Sequence, residues 1–182
     1  DSIVTYTIIT YIYNIVMMTF TGISQGMQPL VSFYRGKKEP KTCALFLRYG
    51  FISTLLTSIV SLAICLILTP LLVSIFLDPS SGELFNESVK AFREYSLCYL
   101  VIGYNIVASG YFAASEQSRY SFTISVLRGF IMIALSVLLM GYLFQGDGIW
   151  YATLVCESVT LLVSVTFLWK QKKKGEAALS IA

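Results

Sequence analysis

Two charges, Arg128 and Glu157, lie deep inside apolar runs, and they are the side chains best placed for chemistry in this sequence. A carboxylate in such a setting can take a proton or a cation. A guanidinium beside it can instead neutralise it and fix two segments together. Around them stand uncharged polar groups at helical spacing. Gln25 and Gln28 are three apart, Asn14 lies three turns earlier near the same face, and Asn105 follows later with Tyr104 and Ser109. Such groups suit a water-lined cavity, and they equally suit hydrogen bonds between packed helices. Histidine is absent, which removes the commonest general base and the commonest metal ligand. Cys43, Cys65, Cys98 and Cys156 stand singly with no CxxC pair, so they read as small buried hydrophobes. No Walker motif, HExxH or pair of catalytic carboxylates occurs. The expectation is a protein that is not an enzyme, with no cofactor, no metal site, no nucleic-acid partner and no ATP-driven step of its own.

These residues need elements able to hold them. Hydrophobic residues make up 56% of the 182 positions and charged residues 13%. A soluble domain carries roughly a quarter charged residues, so lipid is the expected solvent for much of the surface. A spanning helix takes about 20 apolar residues. Five stretches reach that length: 4–33, 45–77, 95–115, 120–144 and 148–169. The first and third are charge-free, Arg48 stands near the start of the second, and Arg128 and Glu157 lie in the fourth and fifth. Polar links separate them at 34–41, from Asp78 onward, at 115–119 and at 145–148, and a basic tail follows at 171–182. The chain opens at Asp1 and runs straight into an apolar helix without a signal-peptide pattern, so it is expected to be a truncated piece.

The links also set an orientation. Those falling on one side carry nine basic residues: Arg35, Lys37, Lys38, Lys41, Arg119, Lys170, Lys172, Lys173 and Lys174. The opposite side carries two, Lys90 and Arg93. Positive loops stay cytoplasmic, which places the tail on the cytoplasmic side of the cell (plasma) membrane. Arg128 then lies ~14 Å from the basic end of its helix, and Glu157 ~20 Å from the same end of the next. A lone charge at mid-bilayer costs about 2.5–3.5 kcal/mol or more, so the two should pair across antiparallel neighbours. Glu157 reads either as a proton or cation site or as half of a bundle clamp. The clamp is preferred, because a nearby guanidinium favours the charged form of a carboxylate.

The densest pattern is GISQGMQPL at 22–30. Gly22 and Gly26 form a GxxxG step that lets another backbone approach, and Pro29 removes a helical hydrogen bond and can kink the helix. The longer run GISQGMQPLVSFY, followed by Arg35-Gly36, resembles the G-x-x-Q-G-x-Q-P-L-x-S/G-Y/F-x-x-G pattern of the multidrug and toxic compound extrusion (MATE) family. Tyr111-Phe112-Ala113-Ala114 ending a helix is similar to the second half of that family. So are Arg128 in the following helix and Gly148-Ile149-Trp150 opening the last one, with Glu157 inside it.

The resemblance implies an all-α integral membrane fold, with a bundle of five transmembrane helices at 1–170. It would be the incomplete second lobe, helices eight to twelve, of a twelve-helix transporter. It also implies a secondary active antiporter that exports amphipathic or cationic compounds in exchange for H⁺ or Na⁺. Its partners would be the bilayer, those substrates and an N-terminal lobe of the same chain. Asn14, Gln25, Gln28, Asn105, Glu157 and Arg128 become cavity or coupling candidates, while Gly22, Gly26 and Pro29 shape the first helix. The third span lacks the acid that certain sodium-coupled members carry there, which weakens a sodium site in this lobe. Two alternatives stay open. A lipid-linked saccharide flippase would want a more cationic cavity than Arg128 alone supplies, and a non-transporting scaffold would bury Asn14, Gln25 and Gln28 in helix contacts.

Overall fold

The computed structural model describes residues 2–144 and 149–179. The elements run α1 (Ser2–Gly36), α2 (Pro40–Ser74), a 3-10 turn (Pro79–Ser81), α3 (Glu83–Ser96) and α4 (Tyr99–Ala114). Then follow α5 (Ser118–Val126), a π-helical turn (Leu127–Ile131), α6 (Met132–Phe144) and α7 (Ile149–Leu179). Among the described residues, four segments are long and apolar enough to cross a membrane: Ile3–Gly36, Pro40–Ser74, Ser118–Leu139 and Trp150–Lys173. The pair α3 and α4, bent by 43° at a short break, makes a fifth. The all-α membrane bundle expected from hydropathy is therefore the fold. The link expected at 145–148 lies outside the described residues.

Three details differ from the hydropathy reading. The stretch after Asp78, expected as an acidic connection, is the helix α3. Its charges sit at helical spacing, with Glu83, Glu87 and Lys90 exposed along one face, while Ser88, Ala91, Phe92 and Ser96 are buried on the other. Half its surface is polar, so a span-length average passes over it. Pro29 does not break α1, which continues for two further turns to Gly36. The basic stretch after Trp169 is not a separate segment but a continuation of α7 to Leu179. It is rich in Lys, Gln, Glu and Ala, all good helix formers.

Burial is concentrated on α4, where ten of its residues from Tyr99 to Phe112 are buried. Two apolar clusters stack along it. One gathers Ile9, Phe20, Phe92, Tyr99 and Ile102 at one end of the bundle. The other gathers Met27, Val31, Val107, Phe112 and Ile124 at the opposite end. Close approach between α1, α2 and α4 rests on glycine. A Cβ at Gly103 would stand 2.6 Å from both Phe20 and Thr54, and one at Gly50 would press on Met27 at 3.0 Å. At Gly110 a Cβ would collide with Ser24.

The expected GxxxG step behaves otherwise. Among the described residues, no atom beyond the neighbouring backbone of α1 stands within 4 Å of a Cβ built at Gly22 or Gly26, and both are exposed. They pack against no helix among the described residues, so the small-residue contacts of this bundle belong to other glycines. The four cysteines are buried free thiols.

Candidate functional site

Glu157 lies on α7 with 4% of its surface exposed, and both carboxylate oxygens are engaged. Arg128 donates to Oε1 through Nη2 at 2.9 Å and through Nε at 3.2 Å. The Asn105 amide of α4 donates to Oε2 at 2.8 Å and to the Glu157 carbonyl oxygen at 2.8 Å. Asn105 Oδ1 in turn accepts from Ser164 Oγ at 2.9 Å. Each polar group of Asn105 therefore has a partner. Arg128 stands in the π-helical turn, and its carbonyl accepts from Cys156 Sγ at 3.6 Å. A wide turn of this kind re-aims one side chain within an otherwise regular helix. The result is a closed, charge-assisted network joining α4, the π turn and α7.

The predicted meeting of Arg128 and Glu157 is thus present, and Asn105 joins it. The sequence groups Asn105 with Tyr104 and Ser109, and the structure separates the three. Tyr104 turns toward Phe51 of α2, with ring centroids 5.6 Å apart. Ser109 bonds the hydroxyls of Ser121 and Ser125 at 3.0 and 3.2 Å. Ser164 had no place in the sequence reading. It stands seven residues after Glu157, two helical turns on the same face, and that spacing was its available signal.

The amide stripe of α1 also divides. Asn14 and Gln25 flank an open groove of about 400 Å³, lined as well by Met17, Met18, Thr21 and Gly22. Both amides are exposed at the outer face of the bundle. Gln28 points elsewhere, donating to Ser24 Oγ at 3.3 Å where α1 crosses Gly110. Pro29 is exposed one turn past Gln25, and its ring nitrogen leaves the Gln25 carbonyl without a helical donor. An open polar face therefore lies on α1, while the charged network lies across the bundle on α7.

The MatE family model matches residues 2–140, most of the chain and all of the α1 groove. The chain belongs to the MatE family. No curated protein and no solved structure matches it. MatE proteins are membrane transporters rather than enzymes, and this chain is a multi-pass membrane protein of that type. Asn105 and Arg128 fall within the matched residues, and Glu157 and Ser164 fall after them.

Proposed function

We propose that this MatE chain forms most of the C-terminal lobe of a secondary active exporter, which faces an N-terminal lobe across the α1 groove. Amphipathic or cationic compounds pass along that groove in exchange for H⁺ or Na⁺. The observation that carries the reading is the exposure of Asn14 and Gln25 beside Thr21 on a membrane-spanning helix. Uncharged amides cannot face hydrocarbon unpartnered, so they require a water-lined path or another protein surface. Met17 and Met18 supply adaptable apolar contact for solutes of varied shape. A scaffold is disfavoured because two of its three amides would stay uncovered. A saccharide-pyrophosphate flippase is disfavoured because the lining residues of the groove include no cation, and Arg128 is held by Glu157.

Glu157 is then a clamp rather than the coupling group, since both its oxygens are occupied. The basic end of the bundle is cytoplasmic in the plasma membrane. The test is ethidium efflux by the complete transporter in vesicles under an imposed pH or Na⁺ gradient. Asn14→Leu and Gln25→Leu should each lower efflux at least threefold with yield unchanged. Gln28→Leu should act mainly on yield, because Gln28 sits in a helix contact. Normal efflux from both groove variants would refute the assignment of the path.

A further inference from the structure

A second groove runs between α2 and α4 on a different face, with a volume of about 320 Å³. Its floor is apolar, formed by Leu47, Phe51, Ile52 and Leu55, with Tyr104 on the α4 side. In a bilayer any such furrow is filled by acyl chain. What separates this one is Arg48 at its edge. Arg48 is exposed, and among the described residues it has no ion-pair or hydrogen-bond partner. The acid of the adjoining turn, Glu39, accepts instead from the Thr42 hydroxyl at 2.9 Å.

The depth of Arg48 follows from the sequence of α2. From Tyr49 to the end of the helix at Ser74 there is no charge, a length of ~39 Å at 1.5 Å per residue. The hydrocarbon core is ~30 Å thick. Arg48 therefore stands at headgroup level on the side that also carries Arg35, Lys37, Lys38 and Lys41. The floor residues run from there toward the bilayer centre. Leu55 lies seven residues further, ~10 Å deeper. The guanidinium can bind a phosphate diester in a two-pronged fashion, with an acyl chain of the same molecule directly below it.

We propose that this groove holds one anionic phospholipid of the leaflet at the basic end, its phosphate on Arg48 and an acyl chain over Phe51, Ile52 and Leu55. The claim rests on the multi-pass fold and not on the export reading, so it can stand or fall separately. The test places the complete protein in bilayers with a single tryptophan, set in the groove by Ile52→Trp with every native tryptophan, Trp150 and Trp169 among them, changed to Phe. Quenching by brominated phosphatidylglycerol is compared with quenching by brominated phosphatidylcholine.

One basic residue at the surface attracts an anionic lipid about fivefold. A preference of about that size for phosphatidylglycerol is expected, lost in Arg48→Gln and retained in Arg48→Lys. Quenching by phosphatidylcholine should be the same in all three proteins, which shows that the variants sit in the membrane alike. Equal quenching by the two lipids in the parent protein would overturn the proposal, as would a preference that survives Arg48→Gln. So would inorganic phosphate erasing the preference where chloride of equal ionic strength does not, since the site would then take a free anion.

Discussion

A carboxylate that accepts from a guanidinium on one oxygen and an amide on the other is fixed in position. Glu157 is in that position, and the cost of disturbing it follows. Glu157→Ala leaves Arg128 as a partly buried charge without its partner, and Arg128→Ala leaves the buried Glu157 carboxylate without its own. Each should destabilise by about 3–5 kcal/mol. The double variant should lose less than the sum, with a coupling of ~1–3 kcal/mol measurable by thermal unfolding of the four proteins. Strictly additive losses would remove the clamp. Glu157→Gln would then be expected to stay folded while abolishing ion-driven efflux.

The pairing was legible because only two charges lay far from any loop. The Asn105 bond was not, since it joins residues 52 apart in sequence and nothing local marks it. The exit of Gln28 from the α1 stripe was equally hidden. Three residues of helix turn it by ~60° relative to Gln25, and whether that is one face or two depends on where α4 lies. At the aqueous edge, Asp78 accepts from the Ser80 amide at 2.8 Å, and that hydrogen bond holds its carboxyl below the usual carboxylate range. The depressed value means the cap is present above the ordinary carboxylate pKa and is lost as pH falls through the lowered one. Exchange of the Ser80 amide should accelerate in that acid window and lose the dependence in Asp78→Asn.

Helix ends and helix crossings decide the next level. The turns after α1 and α4 are built alike. Lys38 and Glu116 adopt left-handed backbone with φ of 60° and 62°. The following amide, of Glu39 or Gln117, reaches back to the carbonyl of Tyr34 or Phe112 at 3.0 or 2.8 Å. That is the Schellman closure, which usually places glycine at the left-handed position. Lys38→Gly and Glu116→Gly should therefore each stabilise by ~1 kcal/mol, read as a rise in unfolding temperature. Gly103→Ala should do the opposite, by ~1–3 kcal/mol, because Phe20 and Thr54 leave no room for a methyl.

The element level was the most readable from sequence, because apolar length alone locates a span. It failed where polarity and helix coincide, at α3, whose five exposed or half-exposed acids and bases hide a buried face. It also failed for the GxxxG step. The motif reports that a backbone could approach, and in this chain the approaches are made at Gly50, Gly103 and Gly110 instead.

At the scale of the molecule, the two stacked clusters define two ends. Ser32 of α1 bonds the Ala114 carbonyl at 3.2 Å, and Gln171 of α7 bonds the Tyr111 hydroxyl at 3.3 Å. The end of α1, the end of α4 and the Gln171 turn of α7 therefore meet. With them come the turn holding Lys37 and Lys38, the start of α5 with Arg119, and Lys170. At the other end Thr5 of α1 bonds Ser88 of α3 at 2.8 Å, and Tyr11 stacks on Phe76 at 5.6 Å. The alternation of loops counted from hydropathy is thus the same alternation that the contacts produce. Sidedness then depends on charge, and the basic end should face the cytoplasm. Single cysteines at Lys38 and Ser81 test this directly, since the four native thiols are buried and react slowly. A membrane-impermeant maleimide added to intact cells should label Ser81→Cys and leave Lys38→Cys untouched until the membrane is permeabilised. Labelling of Lys38→Cys from outside, with Ser81→Cys protected, would invert the molecule in the membrane. The anionic-lipid groove beside Arg48 would then open to the outer leaflet.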